Sequence, residues 1–111
     1  MICEEFRETL EQEGYQVDCA LNGKEGLRKI QNNDYQLIFL DISMPFMDGG
    51  KVLERIRKFS KVPVAVISGF LPTSKEKEIL TKGAMTCFRK PLELDRVKNL
   101  IQCVEKRNLA R

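Results

Sequence analysis

Asp41, Ser68 and Lys90 each stand at the end of a short apolar run, and together they are an acid, a hydroxyl and an ammonium. Asp41 closes Leu37-Ile38-Phe39-Leu40, and Ser68 closes Val62-Pro63-Val64-Ala65-Val66-Ile67. Lys90 follows Thr86-Cys87-Phe88 and precedes Pro91. The first two runs read as strands buried on both faces, as in the middle of a parallel sheet, and the third as a short strand. Ligands and chemistry gather at the carboxyl edge of such a sheet. Neighbouring parallel strands would bring the three groups to that edge. There, an anionic group on Asp41 could be held by a hydroxyl and an ammonium.

The elements that must position them alternate along the chain. Ile2, Phe6 and Leu10, with Cys3 one turn below Phe6, form a helical stripe that Gly14 ends in a left-handed conformation. Tyr15-Gln16-Val17-Asp18-Cys19-Ala20-Leu21 alternates at period two, which predicts an edge strand buried on one face. Asn22-Gly23 turns the chain into a second helix with Leu27 and Ile30 inward, and Asn32-Asn33-Asp34 closes it. Gly26 inside that helix costs about 1 kcal/mol relative to alanine, and close packing against the sheet would explain it. After Asp41, Met44-Pro45 turns the chain. Asp48-Gly49 offers an N-cap before a helix carrying Val52, Leu53 and Ile56 to about Lys58. Gly69-Phe70-Leu71-Pro72 is a loop, and Thr73 or Ser74 caps a helix with Ile79 and Leu80 that stops at Gly83. The last helix turns Leu94, Val97, Leu100, Ile101 and Val104 inward. This alternation, with short connections, predicts an α/β domain whose parallel sheet is covered on both faces.

The bulk composition narrows the function. At 111 residues and 42% hydrophobic, the chain has material for one core. Charged residues make up 32% and are interspersed, and the net charge is only +3, so a solvated face is expected rather than a nucleic-acid surface. No apolar run approaches the ~20 residues that cross a bilayer. The start lacks the basic and apolar regions of a signal peptide. Cys3, Cys19, Cys87 and Cys103 are scattered and histidine is absent, which argues against zinc sites and thiol redox motifs. Four buried or half-buried thiols in a reducing cytoplasm are expected instead.

The segment from Leu37 to Gly50 has a further pattern: hydrophobic strand, Asp41, two residues, Met44-Pro45, two residues, Asp48-Gly49. With Ser68 and the Lys90-Pro91 pair, it resembles the phosphoacceptor segment of bacterial response-regulator receiver domains. The resemblance implies a flavodoxin-like, doubly wound parallel sheet of strand order 2-1-3-4-5. It implies that Asp41 accepts a phosphoryl group, as a mixed anhydride, from a sensor histidine kinase or a phosphotransfer protein. Ser68 would move to bond the new phosphoryl oxygens, Lys90 would pair with another, and Gly69 would keep the approach open. Mg2+ is the implied cofactor, with Asp41 and the backbone carbonyl of Ser43 among its ligands. The implied role is a cytoplasmic, phosphorylation-controlled binding module rather than an enzyme. Its output target is unspecified, and direct contact with nucleic acid or membrane is not implied.

The chain departs from the family pattern in two places. A receiver begins with a strand ending in two adjacent acids that help hold magnesium, whereas Met1 here falls inside the first helix. Strand 1 is thus absent from the chain, and residues 1–111 read as a receiver domain incomplete at its amino end. Because the other motifs are intact, a misplaced start is the favoured explanation. The expected consequences are unpaired inner sheet edges, weak magnesium binding, and either lower stability or a homodimer that exchanges elements between copies. The second departure is Cys87, which stands where the family commonly has an aromatic that reports the switch, with Phe88 beside it. The alternative function is therefore a pseudo-receiver, a protein-interaction domain that is not phosphorylated. A small flavodoxin-like enzyme finds no support, since there is no phosphate-binding glycine-rich loop and no histidine.

Overall fold

Three of the four expected strands pair as parallel ladders. The computed structural model describes residues 2–20, 22–42, 49–69, 73–90 and 93–109. In chain order the elements are α1 (Ile2–Gln12), α2 (Gly23–Asn32), β1 (Ile38–Asp41), α3 (Gly49–Phe59), β2 (Val64–Ser68), α4 (Thr73–Thr81), β3 (Thr86–Arg89) and α5 (Leu94–Leu109). The sheet order is β1-β2-β3. Ile38 aligns with Val64 and Asp41 with Ile67, while Ala65 aligns with Thr86 and Ser68 with Arg89.

The sheet is buried most deeply at its centre. Every residue of β2 is buried, with Val64 and Ala65 at 0% exposure and Ser68 at 2%. Alternate side chains of a strand point to opposite faces. Val64 and Val66 join Leu40, Leu53, Ile56 and Ile79 in one core, with Leu27 and Ile30 of α2 packed against it. Ala65 and Ile67 are equally buried on the other face. Leu10 of α1 and Val97 and Val104 of α5 are also buried, and Lys98 of α5 pairs with Glu13, just past α1, at 2.5 Å. Such two-sided burial is why the sequence of β2 is continuously apolar rather than alternating.

β1 is as apolar as β2 but less covered, with only Leu40 buried. Among the described residues it pairs along one edge only. The expected strand over Tyr15–Leu21 is not formed within residues 15–20. The predicted alternation is nevertheless present, since Tyr15, Val17 and Cys19 are half-buried whereas Gln16 and Asp18 are exposed. A strand needs a neighbour at about 4.8 Å to form a ladder, and none is described beside this segment. Side chains hold the segment in place instead. The Tyr35 hydroxyl donates to Asp18 Oδ2 at 2.7 Å, and Lys29 Nζ donates to the carbonyl of Cys19.

The helix boundaries follow local chemistry. Asn22 caps α2, its side chain accepting from the amide of Glu25 at 2.8 Å. Gly14 and Gly83 adopt φ of 96° and 112°, the left-handed conformation expected where α1 and α4 stop. Gly26 does not mark a tight contact: a β-carbon there would meet Ala20 Cβ at 3.5 Å, an ordinary packing distance. The expectation of four thiols also needs correction. Cys19 is disulfide-bonded, while half-buried Cys87 and exposed Cys103 are free. Separation along the sequence did not reveal distance in space.

Candidate functional site at the carboxyl edge of the sheet

Parallel pairing puts the last residues of the three strands on one edge. Asp41 ends β1 and Ser68 ends β2, one step beyond Ile67, the residue aligned with Asp41. Lys90 directly follows β3, and its backbone amide donates to the carbonyl of Ser68 at 2.9 Å. The amide of Ile42, just past Asp41, donates to Ile67 at 2.9 Å. The backbone leaving each strand is therefore tied to its neighbour, so the positions of Asp41 and Lys90 are set by the sheet itself.

Across that edge Lys90 Nζ lies 2.9 Å from Asp41 Oδ2. The Asp41 side chain is 13% exposed and that of Lys90 35%. A carboxylate so covered needs a partner for its charge, and the ammonium supplies one on a flexible stem that can follow a larger anion. Ser68 is the one buried polar residue among the described side chains. A β-carbon at Gly69 would find Lys90 Cδ at 4.0 Å, so the residue after Ser68 sits beside the lysine stem. The sequence-predicted Asp41, Ser68 and Lys90 are thus brought to one edge. Ser43 lies outside the described residues, as do Met44, Pro45, Phe46, Met47, Asp48 and Pro91.

The described residues do not by themselves fit a magnesium ion. Mg2+ takes six oxygens, of which a protein commonly supplies one or two carboxylates. Asp41 is the carboxylate at this edge, and its Oδ2 is engaged by Lys90. Among the described residues no group of three Asp, Glu, Cys or His side chains could hold a metal.

Cys87 lies in β3, in register with Val66, and is half-buried. Burial, and then the Glu76 carboxylate, push its thiol pKa up, so it stays protonated and inert. Arg89 pairs with Glu76 at 3.7 Å, linking the end of β3 to α4. A cavity of about 290 Å³, lined in part by Ile30, Tyr35, Phe59 and Val62, opens at the opposite, amino end of the sheet. It is remote from Asp41.

This arrangement has many counterparts. A family model for the response regulator receiver domain matches residues 1–102. The chain is 30% identical over 104 residues to the transcriptional regulatory protein CrdR of Helicobacter pylori, covering 92% of this chain and 49% of that one. It therefore spans about half the length of that relative. A two-component response regulator from Clostridium difficile superposes with a TM-score of 0.89 at 28% identity, over 95% of this chain and 87% of the other. The response regulator TrrA of Thermotoga maritima, solved with Mg(2+)-BeF, superposes with a TM-score of 0.77 at 29% identity, over 93% and 89% of the two chains. The parallel sheet, the acid at the end of β1 and the lysine after β3 stand where these comparisons cover the chain, which belongs to the response regulator receiver domain family.

Proposed function

We propose that Asp41 is a phosphoacceptor, taking a phosphoryl group from a phosphohistidine of a sensor kinase or phosphotransfer protein. A carboxylate oxygen of Asp41 forms the new P–O bond as the P–N bond of the donor breaks. Phosphoryl transfer depends on positioning and charge neutralisation more than on covalent chemistry. Lys90, already on the carboxylate, keeps the site electrostatically neutral and shifts to a phosphoryl oxygen once the anhydride forms. The Ser68 hydroxyl takes a second phosphoryl oxygen. The observation that carries this reading is the 2.9 Å contact between Lys90 Nζ and the largely covered Asp41 carboxylate. Intact mass after incubation with acetyl phosphate and magnesium tests it: a single phosphoryl adduct is expected, absent in Asp41→Asn.

On this reading residues 1–111 act as one receiver unit, a cytoplasmic signalling module rather than an enzyme, switching a surface for an output partner. No contact with nucleic acid or membrane is invoked, and no described helix is long and apolar enough to cross a bilayer. Magnesium affinity is expected to be weak, resting on Asp41 and the carbonyl of Ser43, and half-saturation in the millimolar range would bear this out. Among the described residues β1 pairs along one edge only, so pairing with a second copy is the expected route to a homodimer, which sedimentation velocity would reveal.

A non-phosphorylated interaction domain is the second reading. It is favoured by the lack of an acidic cluster among the described residues and by Cys87 at the position of the usual aromatic. Repeated failure of Asp41 to take up phosphoryl, with the fold intact, would select it.

A further inference from the structure

Arg57 lies in the last turn of α3, half-buried, at the end of the sheet opposite Asp41. Among the described residues its guanidinium bonds only to backbone carbonyls. Nε and Nη2 donate to Gly83 at 3.1 and 2.7 Å, and Nη1 donates to Val62 at 2.7 Å and to Ser60 at 3.3 Å. Partial burial lowers its pKa, in keeping with a cation that is half-withdrawn from water.

The two principal acceptors are not arbitrary. Ala65 aligns with Thr86 across the β2–β3 ladder. Stepping back equally along both chains from that pair puts Val62 opposite Gly83. The guanidinium therefore acts as a side-chain rung placed ahead of the backbone bond from Met85 N to Val64 O at 2.8 Å. The far end of the same ladder is the bond from Lys90 N to Ser68 O. A parallel pair has no hairpin to fix its register. A slip of one residue would carry Lys90 about 3.3 Å along the sheet and break its contact with Asp41. Gly83 supports the same assignment. A β-carbon there would stand 2.8 Å from Arg57 Nε, so the glycine allows the guanidinium to approach.

We propose that Arg57 is a positioning residue for the Asp41 site: it fixes the stagger of β2 against β3 where they start, so that Ser68 and Lys90 leave the sheet in place beside Asp41. This rests on the phosphoacceptor reading given above. The planar fork is essential, because a lysine at the same position is a point donor and cannot reach three carbonyls at once.

The test uses Arg57→Lys and Gly83→Ala, each alone and combined with Lys90→Ala, well below their melting temperatures. Hydrogen exchange is followed at the amides of Lys90, Met85 and Ile42, and labelling by acetyl phosphate is measured in parallel. Both single variants should speed exchange at Lys90 and Met85 about tenfold, while leaving Ile42, in the β1–β2 ladder, unchanged. Labelling should slow about fivefold, and adding Lys90→Ala should cost less than it does in the parent, because both changes disable one contact. Equal acceleration at all three amides, no acceleration, or fully additive losses would overturn the proposal. If the parent takes up no phosphoryl at all, the phosphoacceptor reading fails. The three amides then still decide whether Arg57 sets the stagger.

Discussion

Lys90 Nζ and Asp41 Oδ2 lie 2.9 Å apart although β1 and β3 are not neighbours in the sheet. The lysine reaches over the end of β2, where Ser68 is buried beneath the crossing. A contact of this kind exists only while all three strands keep their register, so it reports on the whole sheet as well as on local charge.

Removing the ammonium should therefore affect both chemistry and folding. The Asp41 carboxylate is largely covered, so leaving it without the ammonium in Lys90→Ala should lower stability by about 1–3 kcal/mol. The rate of phosphoryl uptake from acetyl phosphate should fall by about two orders of magnitude, as for loss of a preorganised charge partner. Calorimetry and labelling kinetics on one preparation would separate the two effects.

Two glycines should respond to alanine with opposite signs. Gly26 is helical and has room, so Gly26→Ala should stabilise by about 0.5–1 kcal/mol. Gly83 has φ of 112° and Arg57 pressed against it, so Gly83→Ala should destabilise by about 1–3 kcal/mol. Urea titrations of both variants check the pair.

Tyr35 links its loop to the extended residues 15–20 through Asp18, and burial followed by that carboxylate pushes its pKa up to about 12. The folded value lies above the ordinary value of 10.0, so the unfolded chain loses this proton first. The contribution is thus fully present below pH 10 and is lost as pH rises from there toward about 12. Tyr35→Phe should remove this alkaline loss, along with the upper tyrosinate transition seen by ultraviolet absorbance.

Leu53 is fully buried in the core shared by α2, α3, α4 and the sheet. Leu53→Ala should cost about 2–5 kcal/mol, a large share of the 5–15 kcal/mol typical of a domain. A fall of the thermal midpoint by more than about 10 °C is the expected result.

Much of the site was legible because its logic is local. Each of Asp41, Ser68 and Lys90 ends or follows an apolar run, and a parallel sheet gathers such ends without any turn having to be guessed. The helix stops at Gly14 and Gly83 were legible for a similar reason, since a left-handed residue is a backbone requirement. The strand expected over Tyr15–Leu21 failed on a non-local condition. Its alternating exposure is intrinsic to the sequence, but a ladder depends on what lies beside it. Arg57 gave no signal at all, because its partners are backbone carbonyls, which every residue carries. Cys19 shows the same limit, since its bonded state depends on proximity that spacing does not encode.

The most direct measurement locates the phosphoryl group itself. Borohydride reduces an aspartyl phosphate to homoserine, which marks the acceptor residue permanently. After incubation with acetyl phosphate and magnesium, reduction and peptide mass analysis should find homoserine at position 41 and at no other acid, with the signal lost in Asp41→Asn. Reduction at a different carboxylate, or none in a chain shown to be folded, would contradict the assignment of Asp41 as the phosphoacceptor.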